Sequence, residues 1–205
     1  MVQTKNREGI NMKTKRFSYR FILIGLLITF IGFWGGQFLI RRSDPSTMEL
    51  LNTYLNANLV SLYLQPIILT LFYSQVLALR KIRLFVGVRK KNNQIIAFLL
   101  GIATFYCLIF LLSLFVPYLG TNYPFFKNGS PVLGMTLLLL HVFVLLFLSW
   151  LLVGGYQLHH PYFLLFLVIV LDLIYHFIIE KKLLILYSPL YDPLYRAVHH
   201  IYGGY

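Results

Sequence analysis

Residues 132–153 read VLGMTLLLLHVFVLLFLSWLLV, a stretch of 22 positions in which His141 is the single ionisable side chain. A bilayer core about 30 Å thick requires about 20 apolar residues wound as a helix, because a helix satisfies its backbone N–H and C=O groups without water. Four other stretches have the same character: Phe21–Ile40, Asn58–Leu79, Ile95–Tyr118 and Tyr162–Ile179. The expected fold is therefore all-α, a polytopic integral membrane bundle of five transmembrane helices. The bundle covers residues 21–186, between a basic leader over 1–20 and a Tyr-rich interfacial tail over 187–205.

Composition agrees with this pattern. The chain is 59% hydrophobic and 12% charged, against about 25% charged in soluble domains, and its mean hydropathy is +0.74. A net charge of +12 would suggest nucleic acid as the partner of a soluble protein. Here charge asymmetry across a bilayer accounts for it, and no nucleic-acid partner is expected. With the N-terminus inside, the inner flanks (1–20, 80–94, 154–161) hold 12 Lys and Arg and the outer ones (41–57, 119–131, 180–205) hold 6. The positive-inside rule thus places the N-terminus inside and the C-terminus outside, in a multi-pass protein expected in a bacterial plasma membrane. The first segment is too long for the apolar region of a signal peptide, and RRSDPSTMELL follows it instead of a small-residue cleavage site. It reads as an uncleaved anchor. Cys107, the one cysteine, lies within an apolar run and reads as a small buried hydrophobe.

The connections carry further signals. Asp44-Pro45-Ser46-Thr47 precedes Leu50, Leu51, Tyr54 and Leu55, which predicts a capped amphipathic helix lying on the outer surface. Asn128-Gly129-Ser130 fits a glycosylation pattern but is followed by Pro131 and is discounted. In the tail, Leu194, Val198 and Ile201 predict a short interfacial helix over Pro193–Ile201. Within the spans, Gly25, Gly32, Gly35 and Gly36, and Gly101-Ile102-Ala103, mark places where helices approach closely. Gln65-Pro66 predicts a kink in the second span, with the amide available to line a cavity.

Ionisable residues inside a membrane are functional hypotheses by default. Asp172, His176 and Glu180 follow one another at i+4 spacing on one helix face, and residue counting sets Asp172 at about the depth of His141. The first reading is an interhelical Asp172–His141 hydrogen bond that fixes packing. A proton or cationic-cargo contact is the second, and a divalent-metal site using His141, Asp172 and His176 the third. The exposed pairs His159-His160 and His199-His200 read as solvated. Ser113 and Ser149 read as back-bonded to the preceding helical turn. The sequence has no G-x-S-x-G, H-E-x-x-H or G-x-x-x-x-G-K-[ST] motif, so no catalytic residue and no cofactor is assigned.

Between the second and third spans, residues 80–94 read RKIRLFVGVRKKNNQ. Charge at Arg80, Lys81, Arg83, Arg89, Lys90 and Lys91 serves topology, but the apolar centre with Leu84 and Phe85 has no such explanation. The order of basic leader, span, outer loop, kinked span, short basic loop with an apolar centre and third span, over residues 13–118, resembles the membrane subunits of type-2 ABC exporters. The family's corresponding loop forms a coupling helix that fits into a nucleotide-binding subunit. The resemblance implies that Leu79–Val88 is that helix, Arg89–Gln94 the turn after it, and Phe85 its anchor. It also implies a cytoplasmic ATPase and other membrane subunits as partners, beside the membrane lipids. The family's usual sixth span has no counterpart here. A non-transporting accessory or immunity-type subunit is the alternative, in which the strip only anchors and orients.

Overall fold

The computed structural model describes residues 2–43, 48, 50–55, 57–83, 92–126 and 131–185, with side chains described between residues 19 and 180 except at Asn52. Its elements are α1 (Val2–Arg42), a short α2 (Leu50–Tyr54), a π-helical turn (Val60–Leu64) leading into α3 (Gln65–Arg80), α4 (Asn92–Leu119), α5 (Pro131–Val153) ending in a 3-10 turn (Gly154–Tyr156), and α6 (Pro161–Ile174) continuing as a π-helix (Tyr175–Ile185). Among the described residues there is no strand. Five helical stretches are long and apolar enough to cross a membrane, Tyr19–Arg42, Val60–Arg80, Asn92–Leu119, Pro131–Tyr156 and Pro161–Glu180. The protein is an all-α, membrane-spanning type of bundle.

Helix α1 packs chiefly along α4. A Cβ at Gly32 would collide with the Phe110 carbonyl and Ser113, and one at Gly36 with the Leu114 carbonyl and Pro117. At these two positions, one turn apart on α1, the helices meet backbone to backbone, where hydrogen at Cα leaves room and any side chain would force them apart. Gly101, by contrast, has nothing within 4 Å of an added Cβ, so the approach expected there is not made at this position; Ala103, two residues on, is buried in the core. Pro66 occupies the first turn of α3, where its missing N–H matters least, and the winding defect lies just before it in the π-turn.

Ser149 and Ser113 bond back to the Leu145 and Phe110 carbonyls at 2.8 and 2.9 Å, and Cys107 is buried against Ser149.

The expected amphipathic helix forms as α2, and its apolar residues are covered by protein. Leu50, Leu51, Tyr54 and Leu55 are all buried. Leu51 and Leu55 pack against Phe126, Leu133, Leu137 and Leu138, and the Tyr54 ring meets Phe115 and Tyr118 edge-on at 5.1 and 6.0 Å. The apolar face that a bilayer interface would have covered is covered by the ends of α4 and α5 instead. Leu50 N donates to the Phe125 carbonyl at 3.2 Å, tying two connections together. Ser46, Thr47, Asn128-Gly129-Ser130 and the tail over 187–205 lie outside the described residues.

Candidate functional site: a buried carboxylate between two imidazoles

Glu180 is the centre of the site. The fifth span does not end at Ile179: the chain stays helical through Ile185, carrying Glu180 inside the bundle with 4% of its surface exposed. Each i+4 step on an α-helix drifts by about 40° around the axis, and the wider π-winding from Tyr175 onward counteracts that drift. Asp172, His176 and Glu180 are accordingly all buried, while Phe177, Ile178 and Ile179 are exposed.

The carboxylate bridges two rings. His141 Nδ1 lies 2.9 Å from Glu180 Oε1, and His176 Nδ1 lies 2.7 Å from Glu180 Oε2. A carboxylate only accepts, so both Nδ1 atoms donate. This fixes the remaining nitrogen of His141 as the acceptor in its neutral form, and Gln65 Nε2 sits 2.5 Å from His141 Nε2 in a position to donate to it. At the other end His176 Nε2 lies 3.3 Å from Asn58 Oδ1. Asn58, His176, Glu180, His141 and Gln65 thus form one polar chain across the second, fifth and fourth spans.

The expected Asp172–His141 bond is replaced by Glu180–His141. Asp172 is buried at 2% exposure, and among the described residues its Oδ2 has no hydrogen-bond partner, as is also true of the Tyr175 hydroxyl. Gln65 joins the site as a hydrogen-bonding amide. Among the described residues no group of three or more His, Cys, Asp or Glu side chains is placed to hold a metal ion.

A second set of contacts lies at the far end of α3. Tyr73 donates its hydroxyl to the Pro161 carbonyl at 2.5 Å, Arg80 Nη2 donates to the Leu158 and His159 carbonyls at 2.8 and 3.0 Å, and Arg83 Nη1 donates to the Gln157 carbonyl at 2.8 Å. These carbonyls follow the end of α5, where unpaired backbone acceptors attract cationic donors. The start of the basic strip is therefore lashed to the turn that joins α5 and α6. Lys81 and Ile82 remain exposed, as do His159 and His160 in the same turn. Leu84, Phe85, Arg89, Lys90 and Lys91 lie outside the described residues. The lashing was not anticipated from sequence.

No family description, curated relative or solved structure matches the chain.

Proposed function

We propose that the chain is a membrane subunit of a multi-component transporter, an export permease of ABC type in a bacterial plasma membrane, whose 80–94 loop docks a cytoplasmic ATPase subunit. The observation that carries this reading is the lashing of Arg80 and Arg83 to the carbonyls of residues 157–159. A force applied to the strip by a closing ATPase would pass directly to the α5–α6 turn. Those two helices hold the two sides of the His141–Glu180 bond, so sliding one past the other separates the pair and opens a polar path for a cationic or amphipathic cargo. In this reading Phe85 is the docking anchor, since buried aromatics dominate such interfaces, and the flanking cations steer the encounter.

The test is affinity capture from native membranes of the intact chain and of a Phe85→Asp variant. Recovery of an ATPase with the former and its loss with the latter is expected; equal recovery from both, or no ATPase from either, overturns the coupling idea. An accessory subunit without a transport cycle is the second reading, favoured by the pairing of both Glu180 oxygens with imidazoles inside the bundle. It predicts that replacing Ile82, Leu84, Phe85 and Val86 by Ser and Gly, with the charges kept, leaves function intact.

A further inference from the structure

The polar chain through Glu180 has an unusual charge balance. Asp172 and Glu180 are two carboxylates on one helix, both buried inside the bundle. Among the described residues Glu180 pairs only with His141 and His176, and no Lys or Arg side chain reaches either carboxylate. An uncompensated charge in such an interior is expensive. The groups placed to supply positive charge are imidazoles, and an imidazole does so only by taking up a proton. The proton is thus the species that balances this site, and the number bound sets its net charge. Of the titratable side chains around the set, the described residues add Tyr175, whose ring lies 6.2 Å from that of His141. A phenol keeps its proton at neutral pH and brings no charge.

One edge of the set lies close to the surface. Asn58 is exposed, two residues before the π-turn of the second span and at the end of the bundle that carries α2. Its Oδ1 is 3.3 Å from Nε2 of His176, a ring that is itself 1% exposed. The ring edge is therefore one side chain away from the surface. An amide serves either state of that nitrogen: its oxygen accepts from a protonated Nε2, and its nitrogen, turned inward, donates to a bare one. On the other edge His176 Nδ1 donates to Glu180 Oε2 at 2.7 Å, while Oε1 accepts from His141 Nδ1 at 2.9 Å. Beyond His141 the chain stops. Gln65 is buried, its amide neither gains nor loses a proton near neutral pH, and the residues that follow on that side of α3, Ile68, Leu69 and Phe72, are buried and apolar. The set is open toward the α2 end of the bundle and closed toward the other.

We propose that His176, Glu180, His141 and Asp172 form a proton-binding site, loaded through His176 Nε2 from the compartment that Asn58 faces. One proton from solvent adds to Nε2 and makes the ring an imidazolium against the Glu180 carboxylate; it leaves by the same nitrogen, and no other covalent bond forms or breaks. Loading changes the charge between the fourth and fifth spans by one, so the packing of α5 against α6 answers to the pH on that side. The site rests on the transporter reading only for its role in a transport cycle, since proton binding is a property of the cluster whether or not an ATPase docks. Capture of an ATPase and uptake of a proton therefore fail separately.

The test is nuclear magnetic resonance of the full chain in lipid nanodiscs, with isotope-labelled histidine nitrogens followed between about pH 8 and pH 5. His176→Gln identifies the signals of that ring. As the pH falls, they are expected to pass from one protonated nitrogen to two. A His176 ring in a single form over the whole range overturns the site. In Glu180→Gln the doubly protonated signal is expected to be roughly tenfold weaker at the acid end, the worth of one hydrogen bond to a charged group; equal signals overturn the part given to the carboxylate. Where Glu180→Gln fails to fold, Asp172→Asn is read instead, because it leaves both bonds of Glu180 in place. With one anion fewer its protonated fraction is expected to be smaller, and an unchanged fraction removes Asp172 from the site. Asn58→Leu, an exposed change, is expected to slow exchange of the Nε2 proton with water roughly tenfold, and an unchanged rate overturns the route.

Discussion

Replacing Glu180 tests the polar chain most directly. In Glu180→Ala the Nδ1 donors of both His141 and His176, 2.9 and 2.7 Å from the carboxylate, lose their acceptor inside the bundle. An unsatisfied buried donor costs about 1–3 kcal/mol, so the two together cost about 2–6 kcal/mol, with a central value near 4 kcal/mol. For a chain of 205 residues, each kcal/mol lowers Tm by about 2–4 °C, which gives a fall of about 8–16 °C. Glu180→Gln keeps one acceptor oxygen and turns an amide donor toward the other ring, so it loses about half as much. The assay is thermal unfolding in detergent, followed by fluorescence-detected gel filtration. Non-additivity gives the sharper result: in a His141→Ala background one of the two donors is already gone, and the Glu180→Ala penalty shrinks by about 0.5–3 kcal/mol. Unfolding of Glu180→Ala within about 2 °C of the wild type, or strict additivity with His141→Ala, would refute the bridging role.

Other perturbations probe separate features. Tyr54 lies outside the spans with its hydroxyl buried and without a partner among the described residues; Tyr54→Phe is expected to be neutral or stabilising by about 1 kcal/mol, measured as Tm near neutral pH. Burial first, and then the neighbouring Tyr118, push the Tyr54 phenol up from its ordinary value. The folded state thus holds that proton more tightly than the unfolded chain, and stability present below about pH 10 is lost as pH rises above it. Tyr54→Phe should lose less stability than the wild type over that alkaline window. Gly36→Val should cost about 1–3 kcal/mol or more by forcing α1 off α4, read as a Tm drop larger than that of Gly101→Val, whose position faces open space. Joint Arg80→Ala and Arg83→Ala should raise amide hydrogen exchange at residues 157–161, while exchange around His141 stays unchanged without an applied load.

The five spans were legible because the bilayer imposes a length and a polarity that a sequence displays openly. Segment ends were less so. The span predicted over Tyr162–Ile179 stops short of Glu180, yet the histidines at 141 and 176 satisfy the carboxylate and let the helix carry it inward. Pairing His141 with Asp172 assumed that the outer ends of the fourth and fifth spans lie at one level, a relation set by packing and invisible in either segment alone. The amphipathic face of α2 was readable, but periodicity states that a face is apolar without saying whether lipid or protein covers it. Arg80 and Arg83 escaped for another reason: their acceptors are backbone carbonyls, which every residue carries and no residue type announces.

The glycine-to-backbone contact of α1 with α4 also sets an order of assembly. The first span's main partner begins at Asn92, fifty residues after Arg42 ends α1, and the second span emerges in between without being able to fill the Gly32 and Gly36 face. During synthesis that face must wait in lipid until α4 is inserted. A chain halted before residue 92 therefore holds a first helix whose Gly32 and Gly36 face still lacks its partner, and the closing of that contact marks the step at which the bundle becomes its own best partner.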